Sequence, residues 1–212
     1  MTAVRPRRTQ AERREEAEQR LLDAALVIVA RRGVARLTLA EVGGAAGYSR
    51  GLPAQRFGSK AGLLRALTAH IGARFNAQLE AAPRRTPGLD AIRGNISVYF
   101  NRTDHDWTAT RALLMILVEG STGDSDMRDD FAAYNRSALA FFEHHLAVGM
   151  QRGEVARDAD PAATAVLLLG ALRGTMLQWF LDDSIPLSRL RDRLLAIVDT
   201  ALPPALPPKK GP

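Results

Sequence analysis

The 212 residues are 46% hydrophobic and carry a formal net charge of +6, with no cysteine and four histidines. That length and apolar share suit one large or two small globular domains. The missing thiols exclude a disulfide scaffold, a cysteine nucleophile and a zinc finger, and His70, His105, His144 and His145 leave little for a metal site. The charge is uneven. Residues 1–60 hold 12 Lys or Arg against 6 Asp or Glu and residues 61–212 hold 17 of each, so the surplus marks an N-terminal surface suited to a polyanion.

Residues 1–9, with Arg5, Arg7 and Arg8 and no periodicity, read as a flexible basic arm. This Arg- and Glu-rich start has no apolar core and is not a signal peptide. The longest apolar runs are five to seven residues, such as the five from Ala165 to Leu169, so no membrane span is expected, and the expected compartment is the cytoplasm. A first helix from about Gln10 to Arg32 places Leu21, Leu22, Ala25, Leu26 and Val29 on one face, and Gly33 ends it. Thr38 then caps a short helix, with Glu41 completing a capping box. Gly47 makes a turn, and Ser49 caps a second short helix running to Phe57. After Gly58 and Ser59, a longer helix carries Leu63, Leu64, Leu67, Ile71 and Phe75. Pro83, Pro87 and Gly88 mark a boundary. Helical patterns follow over Ala91 to Phe100, Thr108 to Glu119 and Asp126 to Gly149, then Ala162 to Leu181 behind Pro161, then Leu187 to Leu202. The tail 203–212 is Pro-rich. Period-two alternation is absent. The fold class is therefore all-α, with about nine helices.

The two short helices fit a helix-turn-helix, whose second helix enters the major groove. Gly43, Ala45 and Ala46 supply small residues at a crossing, Gly47 tolerates positive φ, and Leu37, Val42, Leu52 and Phe57 anchor a core with Leu26 and Val29. An ordinary helical hairpin shows many of these features too. Tyr48, Ser49, Arg50, Gly51, Gln55 and Arg56 lie at the start and flank of the second helix, where Arg and Gln reach base edges and Ser, Tyr and Lys hold phosphates. Lys60 opens the next helix and would meet a phosphate there.

The run from Thr38 through Glu41, Val42, Ala46, Gly47, Ser49 and Arg50 to Gly51, followed by Arg56-Phe57-Gly58-Ser59-Lys60 and Leu63-Leu64, resembles the DNA-binding segment of the tetracycline-repressor (TetR/AcrR) family. The resemblance covers roughly residues 17–67. It implies that Thr38 and Glu41 open the first helix of the motif, Gly47 makes the turn, Ser49 and Arg50 begin the recognition helix and Lys60 touches phosphate. Family members commonly carry Thr, Leu and Tyr where this chain has Leu52, Pro53 and Ala54, and His where it has Arg56. The missing Tyr removes a phosphate contact. With Ser49 as cap, Pro53 falls fourth in the helix, where it forfeits a backbone bond and widens the first turn.

The resemblance implies a division into the arm at 1–9, a helix-turn-helix domain at 10–60, a connecting helix at 61–82 and an effector-binding and dimerisation domain at 83–202. It also implies a homodimer on a palindromic operator in double-stranded DNA, built from the last two long helices. Val166, Leu169, Gly170, Arg173, Gly174, Leu177, Leu190, Leu194 and Val198 are the candidate interface. Tyr99, Phe100, Trp107, Met115, Tyr134, Phe141, Phe142, His144, Met176 and Trp179 are candidates for the wall of a pocket for a small-molecule effector, though each also reads as ordinary core.

No catalytic constellation, phosphate loop or dinucleotide fingerprint is present. No metal set, and hence no metal or other cofactor, is expected: His144 and His145 point apart on a helix, and Asp124, Asp126, Asp129 and Asp130 read as a capping cluster. The reading is a ligand-responsive DNA-binding regulator, a repressor rather than an enzyme. The alternative is an all-helical small-molecule-binding or dimerising adaptor with a degenerate DNA-binding segment.

Overall fold

The computed structural model describes residues 9–101, 107–122 and 127–202. The expected basic arm up to residue 8, the Pro-rich tail, His105, Asp124 and Asp126 lie outside these residues. Among the described residues the chain forms helices and no strand: α1 (Gln10–Arg32), α2 (Leu39–Ala45), α3 (Leu52–Phe57), α4 (Lys60–Ala81), α5 (Leu89–Phe100), α6 (Thr108–Ser121), α7 (Arg128–Gln151), α8 (Pro161–Leu181) and α9 (Leu187–Ala201).

Local signals set most ends. Thr9 and Glu12 form a reciprocal capping box at the start of α1, the Thr9 amide donating to the Glu12 carboxylate at 2.7 Å. Arg31 and Arg32 lie in its last turn, where cations suit the helix dipole. Pro161 opens α8, where no amide donor is needed, and Asp160 accepts from the Ala162 and Ala163 amides.

The chain divides into two compact units, one from residues 1–71 with 108–128, the other from 72–107 with 129–212. In the first, α6 packs against α1, and α2 against both α1 and α3. Its core joins Leu21, Leu26 and Val29 of α1 to Val42, to Leu63, Leu64, Leu67 and Ile71 of α4, and to Ala112 and Ile116 of α6. In the second, Ile92 and Ile96 of α5, Phe142 and Leu146 of α7, Leu172 and Met176 of α8 and Val198 of α9 are buried. Arg93 of α5 pairs with Asp199 of α9 at 2.7 Å.

Counting uninterrupted apolar runs underrates α8. With mean hydropathy 1.3 it is long and apolar enough by composition to cross a membrane, and several of its large apolar side chains are exposed.

The turn before α5 is tied to the end of α7. The Gly88 amide donates to His145 Nδ1 at 3.3 Å, the Leu89 amide to Glu154 Oε2 at 2.9 Å, and Arg152 to the Pro87 carbonyl. Gly88 sits at φ 115°, a conformation that favours glycine. An imidazole that accepts at Nδ1 must be neutral there. Burial, and then the neighbouring His144, push the His145 pKa below its ordinary 6.5. The unfolded chain therefore binds this proton more readily than the folded one, and the stabilisation held above the ordinary value is lost as pH falls below it. The unfolding midpoint should drop between about pH 7 and pH 5, and H145N, which keeps an acceptor, should flatten that drop. Equal slopes for the two proteins in a pH series of thermal melts would refute the assignment.

Candidate nucleic-acid interface

The element from Thr38 to Lys60 is built on close backbone approach. Thr38 Oγ1 accepts from the Glu41 amide at 3.2 Å and caps α2. The expected capping box is only half made, because the Glu41 carboxylate pairs with Arg32 of α1 instead. Gly47 turns the chain at φ 79°, and the Tyr48 amide donates to the Gly43 carbonyl at 2.9 Å. A Cβ on Gly43 would lie 2.5 Å from the Ser49 carbonyl oxygen and 3.1 Å from Arg50 Cα and Pro53 Cδ. Glycine at this position is what lets the turn and α3 seat against α2.

The entry to α3 differs from the sequence expectation. Ser49 is not the cap: its carbonyl accepts from the Leu52 amide at 3.2 Å, and Gly51 is the N-cap of a helix beginning at Leu52. Pro53 is then the second helical residue rather than the fourth. It forfeits no backbone bond, because donors in a first turn have no intrahelical partner. Instead it is buried, with its ring over Gly43. At the far end Gly58 reverses the chain at φ 75°, and Ser59 Oγ accepts from the Gly62 amide at 3.0 Å to start α4.

This scaffold leaves Ser49, Arg50, Gly51 and Gln55 exposed and Tyr48 half-buried, with Val42 buried and Ala46 and Phe57 half-buried behind them. Two cations are engaged within the chain. Lys60 Nζ lies 3.5 Å from the Ala35 carbonyl. Arg56 donates through both Nε and Nη2 to Glu18 of α1, the Nε bond being 2.6 Å. The pair sits in a small cleft beside Arg14, Leu21, Leu52 and Gln55. Thirty-eight residues separate Arg56 from Glu18, so no local pattern could have disclosed it.

The sequence model for bacterial regulatory proteins of the tetR family matches residues 21–67. The HTH-type transcriptional regulator CymR of Pseudomonas putida is 47% identical over 197 residues, which is 90% of this chain and 93% of that protein. The chain belongs to the TetR family. Solved structures agree on the fold. A TetR-family transcriptional regulator from Rhodococcus sp. superposes with TM-score 0.77 at 23% identity, over 89% of this chain and 99% of its own. A transcriptional regulator from Saccharomonospora viridis, solved with choline, gives 0.74 at 17% identity over 89% and 98%. FadR of Bacillus subtilis, solved with stearoyl-CoA, gives 0.70 at 17% identity over 87% and 98%.

In a TetR-family chain the Glu18–Arg56 pair has a consequence for DNA. A carboxylate held beside α3 masks one positive charge. E18Q is expected to raise affinity for random duplex about threefold and to steepen its salt dependence by about one unit. R56A in the unaltered chain should change that slope little. Anisotropy titrations over a range of salt concentrations separate the two; a slope lower by about one unit in R56A alone would place Arg56 on the DNA.

In the second unit of this TetR-family chain, the pocket candidates scatter. Tyr99, Phe100, Trp107, Phe142 and Met176 are buried, Tyr134, Phe141 and Trp179 half-buried, and His144 exposed. Met115 is on α6, in the first unit. Rings pack edge-on: Phe75 to Tyr99 at 6.1 Å, Tyr99 to Phe100 at 5.5 Å and Trp107 to Trp179 at 6.2 Å. A cleft of ≈ 770 Å3 lies between the end of α4 and α5, with Phe141 the sole sequence candidate in its wall beside Leu79, Arg84, Asn95 and Val98. Among the interface candidates, Val166 and Leu177 are exposed, and a Cβ on Gly170 or Gly174 would meet nothing within 4 Å. Leu169, Leu194 and Val198 are buried within their own unit, while Leu190 and Arg173 are half-buried. Sequence reading missed the exposed Leu167, Leu181, Ile185 and Ile197. Among the described residues no group of three or more acids and histidines could hold a metal ion.

Proposed function

We propose that the chain is a homodimeric, ligand-responsive repressor that reads a palindromic operator through Ser49, Arg50 and Gln55 and leaves it when a small molecule binds its second helical unit. The observation that carries this reading is the exposed row of base- and phosphate-seeking side chains seated on the Gly43 crossing. Kinship with a P. putida transcriptional regulator at 47% identity supports it. Pro53 at the second position of α3 costs no backbone bond, which favours this reading over the alternative, a helical adaptor with a degenerate reading segment. Relatives solved with choline and with stearoyl-CoA support a small organic effector. Such a ligand relieves repression only by binding the DNA-incompetent state more tightly.

The test is selection of bound duplexes from a random library at low salt, with retention weakening as salt rises. Enrichment of an inverted repeat with half-sites one turn apart or a multiple of it is expected; failure to enrich any sequence defeats the proposal. Against the selected site R50A should lose about tenfold or more beyond its loss on random duplex. K60A should lose equally on both, with its salt slope lower by about one.

A further inference from the structure

Arg173 lies in the middle of α8 and turns its guanidinium toward α7, where Nη1 donates to Asn135 Oδ1 at 2.5 Å. Among the described residues this is its one hydrogen bond, and no carboxylate there pairs with it. Arg20, Arg32, Arg56, Arg85, Arg93 and Arg191, by contrast, each meet an acid. Its electrostatic neighbours are the phenols of Tyr134 and Tyr99, and burial lowers its pKa from the ordinary arginine value. Phenols are neutral near pH 7 and do not balance the charge. A partly desolvated cation without a counter-ion is a liability for folding alone.

The groups around it are rich in donors. A guanidinium has five N–H donors in a planar fork, of which one is used here. Asn135 accepts with its carbonyl and so presents its NH2 as donor. Apolar and aromatic groups stand close by: Met176 is buried one turn on along α8, and Tyr99 stands edge-on to Phe75 and Phe100. One positive charge matches one negative charge, whereas a diphosphate or a coenzyme would bring several that nothing there balances. A planar fork also matches a carboxylate geometrically.

We infer that Arg173, with Asn135, recognises the carboxylate of a small organic acid whose apolar body packs among the aromatic side chains of this unit. This names the class of effector and rests on the second unit being the ligand-binding part. It also gives Arg173 a role other than the subunit contact that its place beside Gly170 and Gly174 suggests.

The test titrates hexanoate, benzoate and 3-phenylpropanoate, each against its primary amide, into the full chain by calorimetry without DNA. At least one acid should bind about tenfold or more tightly than its amide. The preference should vanish in R173M and in R173Q, which keeps a donor for Asn135, and persist in part in R173K. Without ligand, R173M should raise the unfolding midpoint, because a partly desolvated charge is removed. Acids binding no better than amides up to millimolar concentration, or a preference that survives R173Q, would overturn the inference. So would a lower midpoint in R173M and R173Q, which marks a structural strut, or a halved particle mass, which marks a subunit contact. If neutral amides release selected DNA, the regulator stands and this inference falls. If an acid binds but no duplex is retained, the reverse holds.

Discussion

G43A is expected to cost about 3 kcal/mol of stability and to abolish sequence-specific DNA binding. A Cβ there would lie 2.5 Å from the Ser49 carbonyl oxygen. That atom is backbone, in the turn whose carbonyl also accepts from Leu52, so it cannot rotate away as a side chain would. Relief requires the 49–53 segment to move off α2, which carries Arg50 with it. The control is next door. A Cβ on Gly44 would meet nothing within 4 Å, and alanine is a better helix former than glycine, so G44A should gain about 0.5–1 kcal/mol. Denaturant unfolding followed by far-ultraviolet dichroism, with anisotropy on the selected duplex, measures both effects. If G43A proves as stable as G44A, the crossing is looser than described.

What could be read from the sequence follows the range of the forces involved. α1 and α8 begin and end where their residues signal it, because capping, proline placement and charged last turns act within four residues. The start of α3 is not where the sequence points, because Ser49 has the side chain of a cap while the chain uses its carbonyl and lets Gly51 open the helix. Glu41 has the spacing of a capping box, but an ion pair to Arg32 outcompetes the local bond. Arg56 has the residue type of a DNA contact, but its intrachain partner is a carboxylate thirty-eight residues earlier, beyond the reach of any local pattern. Residue type also does not separate a pocket wall from a packed core. Tyr99, Phe100, Phe142 and Met176 are all buried, and only Phe141 among the aromatic and Met candidates faces the large cleft. On α8 the apolar residues surround the helix, so periodicity could not say which face lies open. Leu167 and Leu181 are exposed at 72% and 78% while Leu169, of the same residue type and on the same helix, is buried.

That open face supports the second large effect, on assembly. Val166, Gly170, Gly174, Leu177 and Leu181 recur at spacings of three and four and form one stripe along α8. Val166 is 55% exposed, Leu177 48% and Leu181 78%, an unusual amount of apolar surface to leave in water. On the proposed dimer a second copy covers it. V166E with L177E should therefore leave the chain folded, since neither side chain is buried in its own unit, yet reduce the particle mass in light scattering to that of one chain. Affinity for the two-half-site operator should fall about 10²–10⁴-fold, as linked binding becomes two independent weak events. Glutamates alone could act by charge, so a sharper variant is G170L. Within its own chain a Cβ there meets nothing, and replacing a mid-helix glycine should stabilise the free chain by about 0.8 kcal/mol. A leucine cannot fit where a partner backbone approaches closely. G170L should thus melt higher and yet fail to pair at micromolar concentration. A G170L protein that still pairs would move the interface off this stripe of α8.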